Sequence, residues 1–260
     1  MVNAQSSMKH VNAYADAWLE VAPRIILGFY IVELLLNRIL FRVLIFIPYG
    51  EVQDVLGSVV TALGVTSMNF TVIASIITLA ALTLRLERFR YIPAVIAVFA
   101  LFDYIGWAKL YWTLPLVSAY ILAVDPRRAF EAAFLALLTL ESMLVDPLVA
   151  RVANAAWIIL PVAVIVQKRG FEKKWVLASV PFAGLSLLFV AGNTYIAGQV
   201  LIFALGLLNP WLLPPSIILY TATGSPALLS LLLTGPSLQI SSQVLVISSI
   251  YILELGRRER

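Results

Sequence analysis

"VLGSVVTALGVTSMNFTVIASIITLAALTL", residues 55 to 84, is a run of thirty residues with no Asp, Glu, Lys or Arg. As a helix it would measure about 45 Å, against roughly 30 Å for the hydrocarbon core of a bilayer. A crossing helix needs about 20 apolar residues, so the run is too long for one untilted span and too short for two. We place its membrane core at Met68 to Leu84, with Val55 to Ser67 as a lead-in on the outer side.

The whole composition agrees with that placement. Of 260 residues, 62% are hydrophobic and 12% charged, and the mean hydropathy is +0.96. A soluble domain carries about 25% charge, and half of that cannot cover a water-facing surface. The net charge of +4 and the pI near 9.4 come from short basic clusters between apolar runs. That pattern marks membrane topology and not a nucleic-acid surface. The expectation is an all-α, polytopic transmembrane bundle surrounded by membrane lipid, with no nucleic acid as partner.

Counting outward from the opening run organises the chain. Ile25 to Ile47 forms a first span, stopped by Pro48-Tyr49-Gly50. Tyr91 to Pro126 holds two spans that turn at "DYIGWAKLYW", residues 103 to 112, whose aromatic residues read as an interfacial belt. Ala129 to Gln167 holds another pair turning at Asp146-Pro147, and Trp175 to Leu255 holds four. Basic clusters at 85–90, 127–128, 168–174 and 257–260 are separated by even numbers of spans and so share one side. Lys/Arg bias puts that side, with both termini, in the cytoplasm of a prokaryotic plasma membrane. The organisation expected is a polar leader with an interfacial helix (1–24), one bundle of about ten spans (25–256, eight if a C-terminal pair is re-entrant) and a basic tail (257–260). Residues 1–10 lack the charged start, apolar core and small-residue cleavage site of a signal peptide.

Two segments carry more specific expectations. Residues 11–22 place Val11, Tyr14, Ala15, Trp18 and Ala22 on one helical face, with Asn12, Asp16 and Glu20 opposite. That reads as an interfacial helix with an acidic side, suited to a partner protein or to a plain lead-in. "TATGSPALLSLLLTGPS", residues 221 to 237, brackets an apolar stretch too short to span. It reads as a tight helical pair or as a re-entrant segment opening outward.

Many chemistries have no residues to run on. The chain has no cysteine and a single histidine, His10. Disulfides, Fe–S clusters, a bis-histidine haem and a serine–histidine nucleophile are therefore excluded from this chain. No HExxH and no paired-aspartate motif is present. No metal, no cofactor in this chain and no enzymatic activity are expected.

Charge held inside the first span is the main functional signal. Counted from Ile25, Glu33 lies about 12 Å into the bilayer and Arg38 about 20 Å, with Arg42 one turn further. At 100° per residue the Glu33/Asn37 stripe and the Arg38/Arg42 stripe face directions about 140° apart, so they cannot neutralise each other. A centred arginine costs roughly 2.5–3.5 kcal/mol, so each stripe needs a partner. Asp103, near the outer turn, is placed to reach Arg42, which leaves Arg38 for a second subunit, a lipid or a ligand. Glu33, Arg38, Arg42 and Asp103 are thus the candidate partner- or ligand-contacting residues. Glu141 and Arg151, each five residues from Asp146, form an expected structural ion pair, and Glu131 is expected one turn from Arg127. The reading is a non-catalytic subunit or anchor of a larger membrane complex. An electron-transfer complex with its cofactor on another subunit is the preferred setting. The alternative is a permease for a small or apolar solute built on the charge-free C-terminal helices.

Overall fold

The structure, a computed structural model, describes residues 2–40, 44, 50–143, 152, 156, 159–160, 163–170, 172–174, 223–234 and 241–259. Among them all regular secondary structure is helical. Helix α1 (Val2–Leu34) runs into a π-helical turn, Leu35–Leu40; α2 is Glu51–Arg85 and α3 is Tyr91–Tyr104. A 3-10 turn, Leu110–Thr113, leads into α4 (Leu114–Val124), and a second, Pro126–Arg128, into α5 (Ala129–Met143). The C-terminal hairpin is α6 (Pro226–Thr234) and α7 (Ser241–Glu259).

Helices α1 and α2 form the longest antiparallel pair. Ala15, Leu19, Ala22, Ile26, Tyr30 and Leu34 recur every three or four residues and are buried, which gives α1 one apolar stripe. Polar contacts fix the register along it. Arg85 pairs with Asp16, Trp18 Nε1 donates to Thr78 Oγ1 (2.9 Å), and Ser67 Oγ donates to the Phe29 carbonyl (2.8 Å). The Phe29 and Phe70 rings stack at 5.1 Å, and Gly64 meets the π-turn. A Cβ on Gly64 would lie 2.2 Å from Asn37 Oδ1, so a larger residue there would require the Asn37 side chain to move.

Residues 11–22 continue without a break through Pro23 as part of α1 and pack on the C-terminal half of α2. Of the apolar face read from the sequence, Ala15 and Ala22 are buried with Leu19, while Val11 and Tyr14 are exposed. Pro23 survives mid-helix because its defect is repaired. Proline has no N–H, so the Leu19 carbonyl loses its intrahelical donor. Arg257 Nη2 supplies the missing bond at 2.7 Å.

Helix α2 is built inside out by the standard of a soluble protein. Its inward face carries small and hydroxylated residues: Gly64, Ser67, Thr71, Ala74, Ser75 and Thr78 are buried. Its outward face exposes Val55, Val59, Leu63, Phe70, Ile73 and Ile77. Small inner residues let helix backbones approach closely, while an exposed aliphatic row of this length is stable only in apolar surroundings. Among the described residues Val52–Arg85 is the one helix long and apolar enough to cross a membrane, with a mean hydropathy of 1.8. Tyr91–Tyr104 and Leu110–Val124 are shorter apolar helices.

Helix α7 is the hub. Residues 242 to 253 are all buried, and α7 packs against α1, α2, α3, α4 and α6. It runs parallel to α2: Ser241 and Ser242 face Met68 and Asn69 across one cavity, and Gly256 abuts Leu86. Arg85, Arg128 and Arg258 therefore gather at one end of the bundle, where Arg258 pairs with Asp125 and Arg257 with the α1 backbone. The Gln167 amide donates to the Arg127 carbonyl, which brings the return of the 129–167 segment to that same basic end.

Helix α6 also starts there. Ser225 and the Ala227 N–H contact Glu254, which places the first turn of Pro226–Thr234 at the basic end. The sharp turn at Gly224, φ 65°, belongs to the basic end.

Candidate functional site

Two polar clusters occupy the two ends of the bundle. At the basic end the 3-10 turn between α4 and α5 points Arg128 inward, where its side chain is 2% exposed. Its Nη2 pairs with Glu254 Oε1, its Nη1 lies 3.6 Å from Glu131 Oε2, and its Nε lies 3.5 Å from Asp125 Oδ2. Glu254 also accepts from Ser225 Oγ at 2.8 Å and from the Ala227 N–H at 3.0 Å, so it caps the first turn of α6. Tyr251 O–H donates to Glu131 Oε2 at 2.7 Å, and Arg258 pairs with Asp125. With Lys168 near enough to feel Arg128, Glu131 and Glu254, the cluster balances three cations against three carboxylates.

Burial works against the Arg128 charge, but Glu254 and then Glu131 outweigh it and hold its pKa above the ordinary arginine value. A buried arginine that shares carboxylates from separate helices acts as a lock, because removing it would leave those carboxylates without their cation. It ties the α4–α5 corner to the start of α6 and the end of α7. The expected partnership of Glu131 with Arg127 is corrected here, because the guanidinium on Glu131 belongs to Arg128. Arg127 follows the proline of the 3-10 turn and is exposed, whereas Arg128 is turned into the bundle. Asp16, expected on an acidic face, is paired with Arg85.

At the opposite end, Glu33 and Asp103 meet neighbouring residues of α7. Ser242 Oγ donates to Glu33 Oε1 at 2.8 Å, and Ser241 Oγ donates to Asp103 Oδ2. Asp103 Oδ1 also accepts from the Leu110 N–H at 3.2 Å, closing the α3–α4 turn in which Gly106 adopts φ 77°. Because α1 is continuous from the Asp16–Arg85 level, Glu33 lies about 25 Å along it from there, near its C-terminal end.

Beside these carboxylates lies a cavity of 710 Å³ between α2, α3 and the start of α7. Val72, Ile73, Ala100 and Leu245 form its apolar wall, and Asn69, Asp103, Tyr104, Ser241 and Ser242 its polar rim. Its volume falls in the range of small-molecule sites, roughly 300–1,000 Å³. Among the described residues no group of three or more metal-ligating side chains gathers.

Of the four candidate residues, Glu33 and Asp103 converge on the start of α7. The Arg38 side chain and Arg42 lie outside the described residues, as do the side chains of the Glu141–Arg151 pair. Arg128 and Glu254 were missed as a pair. Their only sequence signal is that Glu254 is the first charge after the neutral run beginning at Trp175. No family model, curated protein or solved structure matches this chain, so its site is read from its own residues.

Proposed function

We propose that this chain is a multi-pass plasma-membrane protein of about ten spans, with both termini cytoplasmic, and a non-catalytic subunit of a larger membrane complex. The convergence of Arg85, Arg128 and Arg258 on one bundle end supports the topology, because it is what positive-inside insertion produces.

The length of the exposed apolar face of α2 carries the subunit reading. Its 35 residues extend about 52 Å. Measured from Leu84, beside the basic end, a hydrocarbon layer of about 30 Å ends near Val65. Fitting the whole helix into that layer would require a tilt of about 55°, beyond the 0–40° range of membrane helices. Val52, Val55, Val59 and Leu63 therefore stand past the lipid and remain exposed. Apolar side chains in that position call for a protein partner.

The test is photo-cross-linking in native membranes with benzoylphenylalanine at positions 55, 59 and 77, followed by purification in mild detergent. A stoichiometric partner that links at 55 and 59 but not at 77 supports the reading, and a haem- or flavin-bearing partner supports the electron-transfer setting. Lipid adducts alone at all three positions refute it. The second reading, a permease, is favoured by the 710 Å³ cavity beside Asp103, and a protein that purifies alone and catalyses solute uptake supports it.

A further inference from the structure

We propose that the cavity between α2, α3 and the start of α7 binds a primary ammonium group carried on a short apolar tail, with Asp103 as its counter-charge. This assigns a ligand class to the site whether or not the chain moves that ligand across the membrane.

Asp103 lines the cavity, and its two hydrogen-bond donors among the described residues, the Leu110 N–H and the Ser241 O–H, are both neutral. Among the described residues no lysine or arginine comes within salt-bridge distance of it. Lys109, the nearest basic residue in the turn, is exposed. A carboxylate at the mouth of an apolar cavity favours a cation, since an anion would be repelled and a neutral ligand would leave the charge unmatched.

The rim selects among cations. Asp103, Asn69, Ser241 and Ser242 offer oxygen acceptors, which suit the three N–H donors of a primary ammonium. A quaternary ammonium has no N–H to give and is held by aromatic cages instead. The wall of Val72, Ile73, Ala100 and Leu245 fits an alkyl tail. Such chemistry is found both in an amine lipid headgroup and in a free alkylammonium.

The experiment uses the full chain in phosphatidylcholine nanodiscs, which contain no primary amine. Hexylammonium is titrated by calorimetry with hexanol as the uncharged control. Saturable binding of hexylammonium, weakened about tenfold or more by Asp103→Asn, is expected from the loss of a charge-assisted contact. Ala100→Phe fills the cavity while keeping the Asp103 carboxylate and should abolish binding. It decides the matter if Asp103→Asn fails to fold. Native mass spectrometry after addition of phosphatidylethanolamine identifies the source. Retained lipid that is lost in Asp103→Asn assigns the site to a headgroup, and binding of hexylammonium alone assigns it to a free solute. Equal binding of hexanol, or undiminished hexylammonium binding in Ala100→Phe, overturns the proposal.

Discussion

Replacing Arg128 with methionine tests whether the basic-end cluster holds the bundle together. Methionine keeps the length and removes the charge, leaving Glu254 and Glu131 without their shared guanidinium. Removing one partner of a buried ion pair costs about 3–5 kcal/mol. Here Glu254 retains Ser225 and the Ala227 N–H, and Glu131 retains Tyr251, so the lower end, about 3 kcal/mol, applies. At about 2–4 °C per kcal/mol for a chain of this size, the unfolding midpoint should fall by roughly 6–12 °C. The six tryptophans provide the signal for a thermal ramp in detergent. Glu254→Gln keeps an acceptor for the Ala227 N–H while discarding the negative charge. Combined with Arg128→Met it should therefore recover about 1–2 kcal/mol of the loss. A single mutant within 2 °C of wild type, or a double mutant whose loss equals the sum of the singles, refutes the account of Arg128 as a lock.

Two further outcomes follow from the packing of α7. Arg257→Gln should cost about 1 kcal/mol in the native chain and much less in a Pro23→Ala background, where the Leu19 carbonyl regains its intrahelical donor; equal costs in both backgrounds, read as melting midpoints, would remove the repair role. In this cysteine-free chain, Arg88→Cys, Arg127→Cys, Lys173→Cys and Arg258→Cys should label with an impermeant maleimide only from the cytoplasmic face, and Val52→Cys only from outside; labelling of positions 127 and 173 from opposite sides contradicts the hairpin between them.

The sequence by itself determined the helical class and the apolar setting. Hydropathy and charge count are sums over neighbouring residues, and thirty uncharged residues leave few other ways to satisfy a backbone. It also led to the expectation that the basic clusters share one side, and Arg85, Arg128 and Arg258 do gather at one end of the bundle. It singled out Glu33 by the cost of charge in an apolar run and Asp103 as a carboxylate placed to reach Arg42, without showing that both would be met by consecutive serines of α7.

Only the tertiary structure decided who pairs with whom. Arg128 and Glu254 stand 126 positions apart, and no local pattern reports that α7 returns through the centre of the bundle. The face that α1 buries is set in the same way: a weakly amphipathic helix takes its orientation from the neighbour it packs on, and Asp16 pairs with Arg85. Pro23 looks like a helix stop in sequence and becomes a helix interior only because Arg257, from the far end of the chain, donates to the carbonyl it orphans. Backbone propensity is local, but the hydrogen bonds and ion pairs that override it are supplied by whatever helix the fold brings alongside.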